Sequence, residues 1–114
     1  MSGLTINEES ADGVAVMAPG GRIDSSTAKD FETAVLGRIA GGDTRIVFDF
    51  AELDYISSAG LRVVLLAGKR LKAASGALVL CALKPAIREV FEISGFISLF
   101  EVRDNRAEAI VAAG

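Results

Sequence analysis

The sequence predicts a mixed α/β fold: a mostly parallel sheet with an N-terminal antiparallel hairpin and about four helices. Three observations carry it. Apolar stretches of strand length alternate with stretches of helical periodicity, the pattern of parallel strands joined by right-handed crossovers. Arg45-Ile46-Val47-Phe48-Asp49-Phe50 is nearly continuous in apolar residues, as a central strand covered on both faces requires. A length of 114 residues at 51% hydrophobic and 24% charged gives one core and one domain, spanning residues 1–114.

The elements follow in order. Leu4–Asn7 and Val14–Met17 flank Asp12-Gly13, a favoured hairpin turn pair, and predict two antiparallel strands. Pro19-Gly20-Gly21 acts as punctuation after the second strand. Ser25-Ser26-Thr27 offers helix caps, with Asp30 three residues after Thr27. Phe31, Val35 and Ile39 stand at helical spacing, so a helix is expected from Thr27 to Ala40, ending at Gly41-Gly42. The central strand comes next. Ala51 to Ser57 is expected to be a loop anchored by Leu53 and Ile56. A second helix, Ala59 to Ala74, buries Leu61, Val64, Leu65 and Leu71 and leaves Arg62, Lys69, Arg70 and Lys72 outside. Gly76 separates it from a strand over Ala77–Cys81. Pro85 suits the first turn of a third helix carrying Ile87, Val90 and Phe91, with Gly95 as its stop. Leu99–Val102 is expected as a last strand. Asn105, with Glu108 three residues on, caps a final helix from Arg106 to Ala112. The predicted order is β-β-α-β-α-β-α-β-α.

Composition narrows the function classes. A formal charge of -3 lacks the clustered excess of Lys and Arg that nucleic acid demands. With no His, imidazole bases, Ser-His-Asp triads and His-ligated metal sites are excluded. Cys81 is alone, so it forms neither an internal disulfide nor a thiolate zinc site, and a reducing compartment, the cytoplasm, is expected. Mean hydropathy is high at +0.43. Yet Val63 to Gly68, the longest clean apolar run, lies between Arg62 and Lys69, far short of the ~18 residues of a membrane span. Met1-Ser2-Gly3-Leu4-Thr5 lacks the character of a signal peptide. No phosphate-binding loop, dinucleotide fingerprint or nucleophile elbow is present, so neither a nucleotide nor another cofactor is expected. The carboxylates Asp49, Glu52 and Asp54 crowd one strand-to-loop turn, where solvated or capping roles are the ordinary ones. A non-enzyme is expected.

The unusual segment is Asp54-Tyr55-Ile56-Ser57-Ser58-Ala59-Gly60-Leu61. It sets two hydroxyls where a loop enters a helix. The plain structural role is Ser58 as N-cap, accepting from the amide near Gly60 or Leu61. Gly60 in the first turn costs up to ~1 kcal/mol relative to Ala, easier to understand if another backbone must approach closely. Free amides and the positive end of the helix dipole favour a negative group on Ser58 by roughly 0.3–1 kcal/mol. A serine there is a sensible phosphate acceptor.

Ile56-Ser57-Ser58-Ala59-Gly60-Leu61 resembles the D-S-[ST]-G-L signature of STAS domains of the bacterial anti-sigma factor antagonist type. Gly21-Arg22-Ile23-Asp24-Ser25-Ser26-Thr27-Ala28 is similar to the family's G-x-[IL]-D-x-x-T-A. Val79-Leu80-Cys81, with Pro85-Ala86-Ile87-Arg88-Glu89-Val90-Phe91 and Ser94-Gly95-Phe96, resembles its fourth strand and third helix. The resemblance spans essentially the whole chain and implies the STAS fold.

It also implies a partner switch. In the family, an anti-sigma factor that is an ATP-dependent serine kinase phosphorylates the serine opening the helix. The unphosphorylated antagonist binds that kinase and frees a sigma factor; a metal-dependent Ser/Thr phosphatase resets the cycle. The alignment puts the acceptor on Ser58, with Ser57 as the secondary candidate. It puts the partner surface on Asp24, Ser25, Ser57, Ser58, Ala59, Gly60, Leu61 and Arg62. Two residues depart from the pattern: Ser57 stands where the family has Asp, and Ala59 where it has Ser or Thr. Other STAS domains imply an alternative, a non-catalytic subunit of a lipid- or anion-transport complex at the membrane. The absent span and the Met1 start argue against a transporter tail.

Overall fold

The computed structural model describes residues 3–114, so the leading Met1 and Ser2 of the sequence reading lie outside the described residues. Strands β1 (Leu4–Ala11) and β2 (Val14–Ile23) form the expected hairpin around Asp12-Gly13. They are followed by α1 (Ala28–Ala40), β3 (Arg45–Asp49), β4 (Leu53–Ile56) and α2 (Ser58–Ala73). Then come β5 (Ala77–Cys81), α3 (Pro85–Ile93), a 3-10 turn (Phe96–Leu99), β6 (Glu101–Arg103) and α4 (Arg106–Ala113). The described residues make one sheet in the order β1-β2-β3-β5-β6, with β4 joined to β2 off that path. All pairings except β1–β2 are parallel.

The run through β3 explains the layers. Ile46 and Phe48 face one side of the sheet and Val47 the other, and all three are fully buried. On the first side lie α1, α2 and α3. A chain of rings crosses this core: Phe31 to Phe48 at 5.3 Å, Phe48 to Phe50 at 6.0 Å, Phe50 to Phe91 at 6.2 Å, and Phe91 to Phe100 at 6.3 Å. On the second side α4 alone sets Ala109 and Ala113 against Val14, Val16, Val47, Val79 and Cys81. Small residues on that helix let its backbone lie close to the sheet.

The observed order departs from the expected one in three places. Leu53–Ile56 is a strand, not a loop. Its Leu53 and Ile56 are buried while Asp54 and Tyr55 are exposed, so it shows no period of two, and its pairing with β2 is non-local. Pro19-Gly20-Gly21 does not end β2, which runs through them to Ile23. β2 pairs with β3 as far as Met17 and with β4 from Gly21, and the β2–β4 register shifts between Gly21 and Arg22. Gly21 has φ of 96°, and a Cβ there would stand 2.2 Å from the Gly3 carbonyl oxygen, so only glycine fits. Last, Phe96–Leu99 coils into the 3-10 turn, which delays β6 to Glu101.

Candidate functional site

Parallel pairing of β2 with β4 creates the site. Ile23 sits opposite Ile56, so the residues that follow each strand, Asp24 and Ser57, emerge side by side at one end of the sheet. The Ser57 amide donates to the Ile23 carbonyl at 2.8 Å, which fastens the two exits together.

Asp24 organises its own loop. Its Oδ1 accepts from the Ser26 hydroxyl at 2.7 Å, the Ser26 amide at 2.9 Å and the Thr27 amide at 3.2 Å. These bonds, the Ser26 hydroxyl foremost, hold its carboxyl below the usual aspartate value. Its carbonyl accepts from the amides of Thr27 and Ala28, opening α1. The expected Thr27–Asp30 cap does not form. Thr27 is buried and donates instead to the Arg22 carbonyl at 2.8 Å, so Asp24 does the capping. The Asp-x-Ser-Thr order, an Asx turn, was the signal for this in the sequence. Ser25 beside it is exposed.

The cap of α2 also differs from expectation. Ser57, not Ser58, is the N-cap: its Oγ accepts from the Gly60 amide at 3.3 Å and its carbonyl from the Leu61 amide at 2.9 Å. Ser57 is half-buried. Ser58 begins the helix and is exposed, and its hydroxyl has no hydrogen-bond partner among the described residues. The amides of Ser58 and Ala59 are likewise unpartnered there, as first-turn amides are.

Gly60 and Leu61, expected on the partner surface, are buried. A Cβ on Gly60 would lie 2.7 Å from both Ile23 Cγ2 and Ile56 Cγ1. Side chains of this chain, not an approaching backbone, account for the glycine. Its absent side chain lets α2 settle onto the β2–β4 pair. Arg62 is exposed one turn beyond Ser58, and Ala59 lines a cleft of about 460 Å³ between α1 and α2.

One neighbour escaped the sequence reading. The Arg22 guanidinium lies 4.3 Å above the Tyr55 ring and 3.8 Å from the Asp24 carboxylate. Their cross-strand register was invisible while β4 was taken for a loop. The carboxylates of the nearby turn are occupied structurally: Asp54 pairs with Lys84 at 2.6 Å and buried Asp49 with Arg106 at 2.7 Å. Among the described residues no cluster of three or more His, Cys, Asp or Glu could hold a metal ion, and no helix is long and apolar enough to cross a membrane.

The arrangement therefore presents one free hydroxyl at a helix start, flanked by an ordered acidic loop. Comparison with known proteins bears on it. The family model described as STAS domain matches residues 5–109. A Bordetella bronchiseptica protein provisionally named anti-sigma factor antagonist BtrV is 45% identical over 109 residues, 96% of this chain and 94% of that protein. The crystal structure of an anti-sigma factor antagonist from Mycobacterium paratuberculosis superposes with a TM-score of 0.88 at 26% identity, over 96% of this chain and 93% of that one. The Bacillus cell fate determinant SpoIIAA in its phosphorylated form shares the fold, with a TM-score of 0.75 at 24% identity over 96% of this chain and 100% of that one.

Proposed function

The chain belongs to the STAS domain family, and we propose that it is an anti-sigma factor antagonist switched by phosphorylation of Ser58. The observation that carries this is the exposed, unpartnered Ser58 hydroxyl at the start of α2, in a chain 45% identical to a protein provisionally named as such an antagonist. In the cytoplasm, the unphosphorylated form binds an anti-sigma factor that is also a serine kinase and thereby releases a sigma factor. The Ser58 oxygen attacks the γ-phosphorus of ATP held by the kinase, its proton passes to a base of the kinase, and ADP leaves. A metal-dependent phosphatase hydrolyses the ester with water and restores the hydroxyl.

Ser58 is preferred over Ser57 on different grounds from those of the sequence. Ser57 Oγ is spent on the helix cap and half-buried, whereas Ser58 Oγ is open to a partner. A phosphate on Ser58 finds the free amides of Ser58 and Ala59 beside it, so the fold tolerates it. It adds about -1.5 to -2 charges at pH 7, taking the formal balance from -3 to roughly -5. At the centre of an interface that dianion is desolvated with one cation of this chain, Arg62, on the same helix face one turn on. Burying the charge that Arg62 does not offset costs on the order of a few kcal/mol. About 3 kcal/mol already weakens binding roughly 100-fold at 1.4 kcal/mol per tenfold.

Incubation with the cognate anti-sigma factor kinase and ATP, followed by peptide mass spectrometry, tests the site. Phosphate is expected on Ser58; phosphate on Ser57 alone, or none, overturns the reading. Titration calorimetry gives a second check, because Asp is itself a good N-cap and Ser57→Asp keeps the helix start. Ser58→Asp should weaken binding at least tenfold more than Ser57→Asp. Equal losses would count against a switch centred on Ser58.

A further inference from the structure

Helix α2 is electrically unlike the rest of the chain. It carries Arg62, Lys69, Arg70 and Lys72 and none of the 15 acidic residues. All four are exposed, and none has an ion-pair partner among the described residues. Of the eight cations elsewhere, Arg22, Lys29, Arg38, Lys84, Arg103 and Arg106 each lie within 4.0 Å of a carboxylate, Arg45 donates to the Ala113 carbonyl, and Arg88 alone has no carboxylate or hydrogen-bond partner among the described residues. A helix left this positive on an acidic protein is a local field of one sign.

Spacing turns the charges into a stripe. Ser58, Arg62, Leu65, Leu66 and Lys69 recur at three and four residues and share the outer face of α2, with Arg70 and Lys72 on its two flanks. A cleft runs along each side. One, of about 460 Å³, lies against α1 and is floored by Ala28, Ala59 and Val63. The other, of about 410 Å³, lies against β5 and the 3-10 turn and is floored by Leu78 and Phe100. The carboxylates at these clefts are already engaged, Glu32 with Lys29 at 3.8 Å and Glu101 with Arg103. Sixteen residues give the stripe a length of about 24 Å.

We infer that this outer face of α2 is a docking surface for an acidic, amphipathic segment of the anti-sigma factor. The inference rests on the function proposed above and extends its interface three turns beyond Ser58. Carboxylates of the partner would meet Arg62, Lys69 and Lys72, and its apolar side chains would enter the flanking clefts. A membrane surface fits less well, because Leu65 and Leu66 are half-sunk in the clefts and no large hydrophobic residue of α2 protrudes. The arrangement also gives the phosphate a second means of action. At the head of the stripe it cancels part of the positive field that draws the acidic segment in.

The test is the association rate of the full chain with the cognate anti-sigma factor, by stopped flow, at low and raised salt. Lys69→Glu/Lys72→Glu leaves Asp24, Ser57 and Ser58 untouched, and circular dichroism with a urea midpoint checks its fold. The wild-type rate should fall on the order of tenfold with salt, and the variant should be slower by at least as much at low salt and nearly indifferent to it. Ser58 phosphorylation at saturating kinase should persist in the variant. An unchanged rate in a folded variant overturns the docking surface, and if Ser58→Asp still blocks binding, the switch survives that failure. If Ser58→Asp has no effect while Lys69→Glu/Lys72→Glu slows association, the switch fails and the docking surface stands. Loss of binding to phosphatidylserine vesicles, with anti-sigma association unaltered, would overturn it in favour of a lipid surface.

Discussion

Two adjacent serines show how far one residue's role depends on distant pairing. From sequence, Ser58 is the expected cap of α2, and the structure gives that role to Ser57. The choice falls on Ser57 because Ile56 is the last residue of a strand locked to Ile23, and the helix starts only after that strand has let go. Nothing local encodes this. Gly60 was legible as an anomaly, and its reason lies in Ile23 and Ile56 rather than in a partner. Gly60→Ala should therefore lower stability by about 1–2 kcal/mol in urea denaturation. The crowding of two branched side chains, roughly 1–3 kcal/mol, exceeds the gain in helix propensity of up to ~1 kcal/mol. Ser57→Ala should cost about 0.5–1 kcal/mol, the low end for a lost cap, since the bond it removes is 3.3 Å long.

Elements with a strong period, or a cap at one end, were legible: α1, α2, α3, β3, β5 and the Asn105-capped α4 lie within a residue or two of their expected spans. The elements that escaped are short or irregular. β4 has four residues with both outward positions adjacent, and the start of β6 is set by a 3-10 turn whose bonds leave no pattern in residue type. What fastens α4 was equally hidden, because Arg106 reaches back 57 positions to the carboxylate of Asp49 and also pairs with Glu9. Asp49 is nearly buried, so removing its cation strands a charge in the interior. Arg106→Ala should cost roughly 3 kcal/mol by urea denaturation, whereas Glu9→Ala, at an exposed partner, should cost under about 1 kcal/mol. Similar losses for the two would show that Asp49 does not depend on this bridge.

Across the whole molecule the sheet divides two jobs. One face holds the aromatic core under three helices; the other is covered by α4, with Cys81 sealed beneath it. Burial pushes the Cys81 thiol up to about 12, so almost no thiolate exists at neutral or mildly alkaline pH. The native protein should not react with a chromogenic disulfide reagent, and one thiol per chain should react once denaturant is added. Rapid reaction without denaturant would show that α4 opens readily. The change of partner along β2 has a different consequence. Its first half lies between β1 and β3, while Gly21–Ile23 pairs with β4, so the loop of Asp24 and the start of α2 leave from adjacent strand ends. The roots of that corner, Ile23, Leu53 and Ile56, are buried in the same cluster as Phe31 and Phe48. A load applied there therefore passes straight into the ring-filled interior, which bears it as a close-packed solid does.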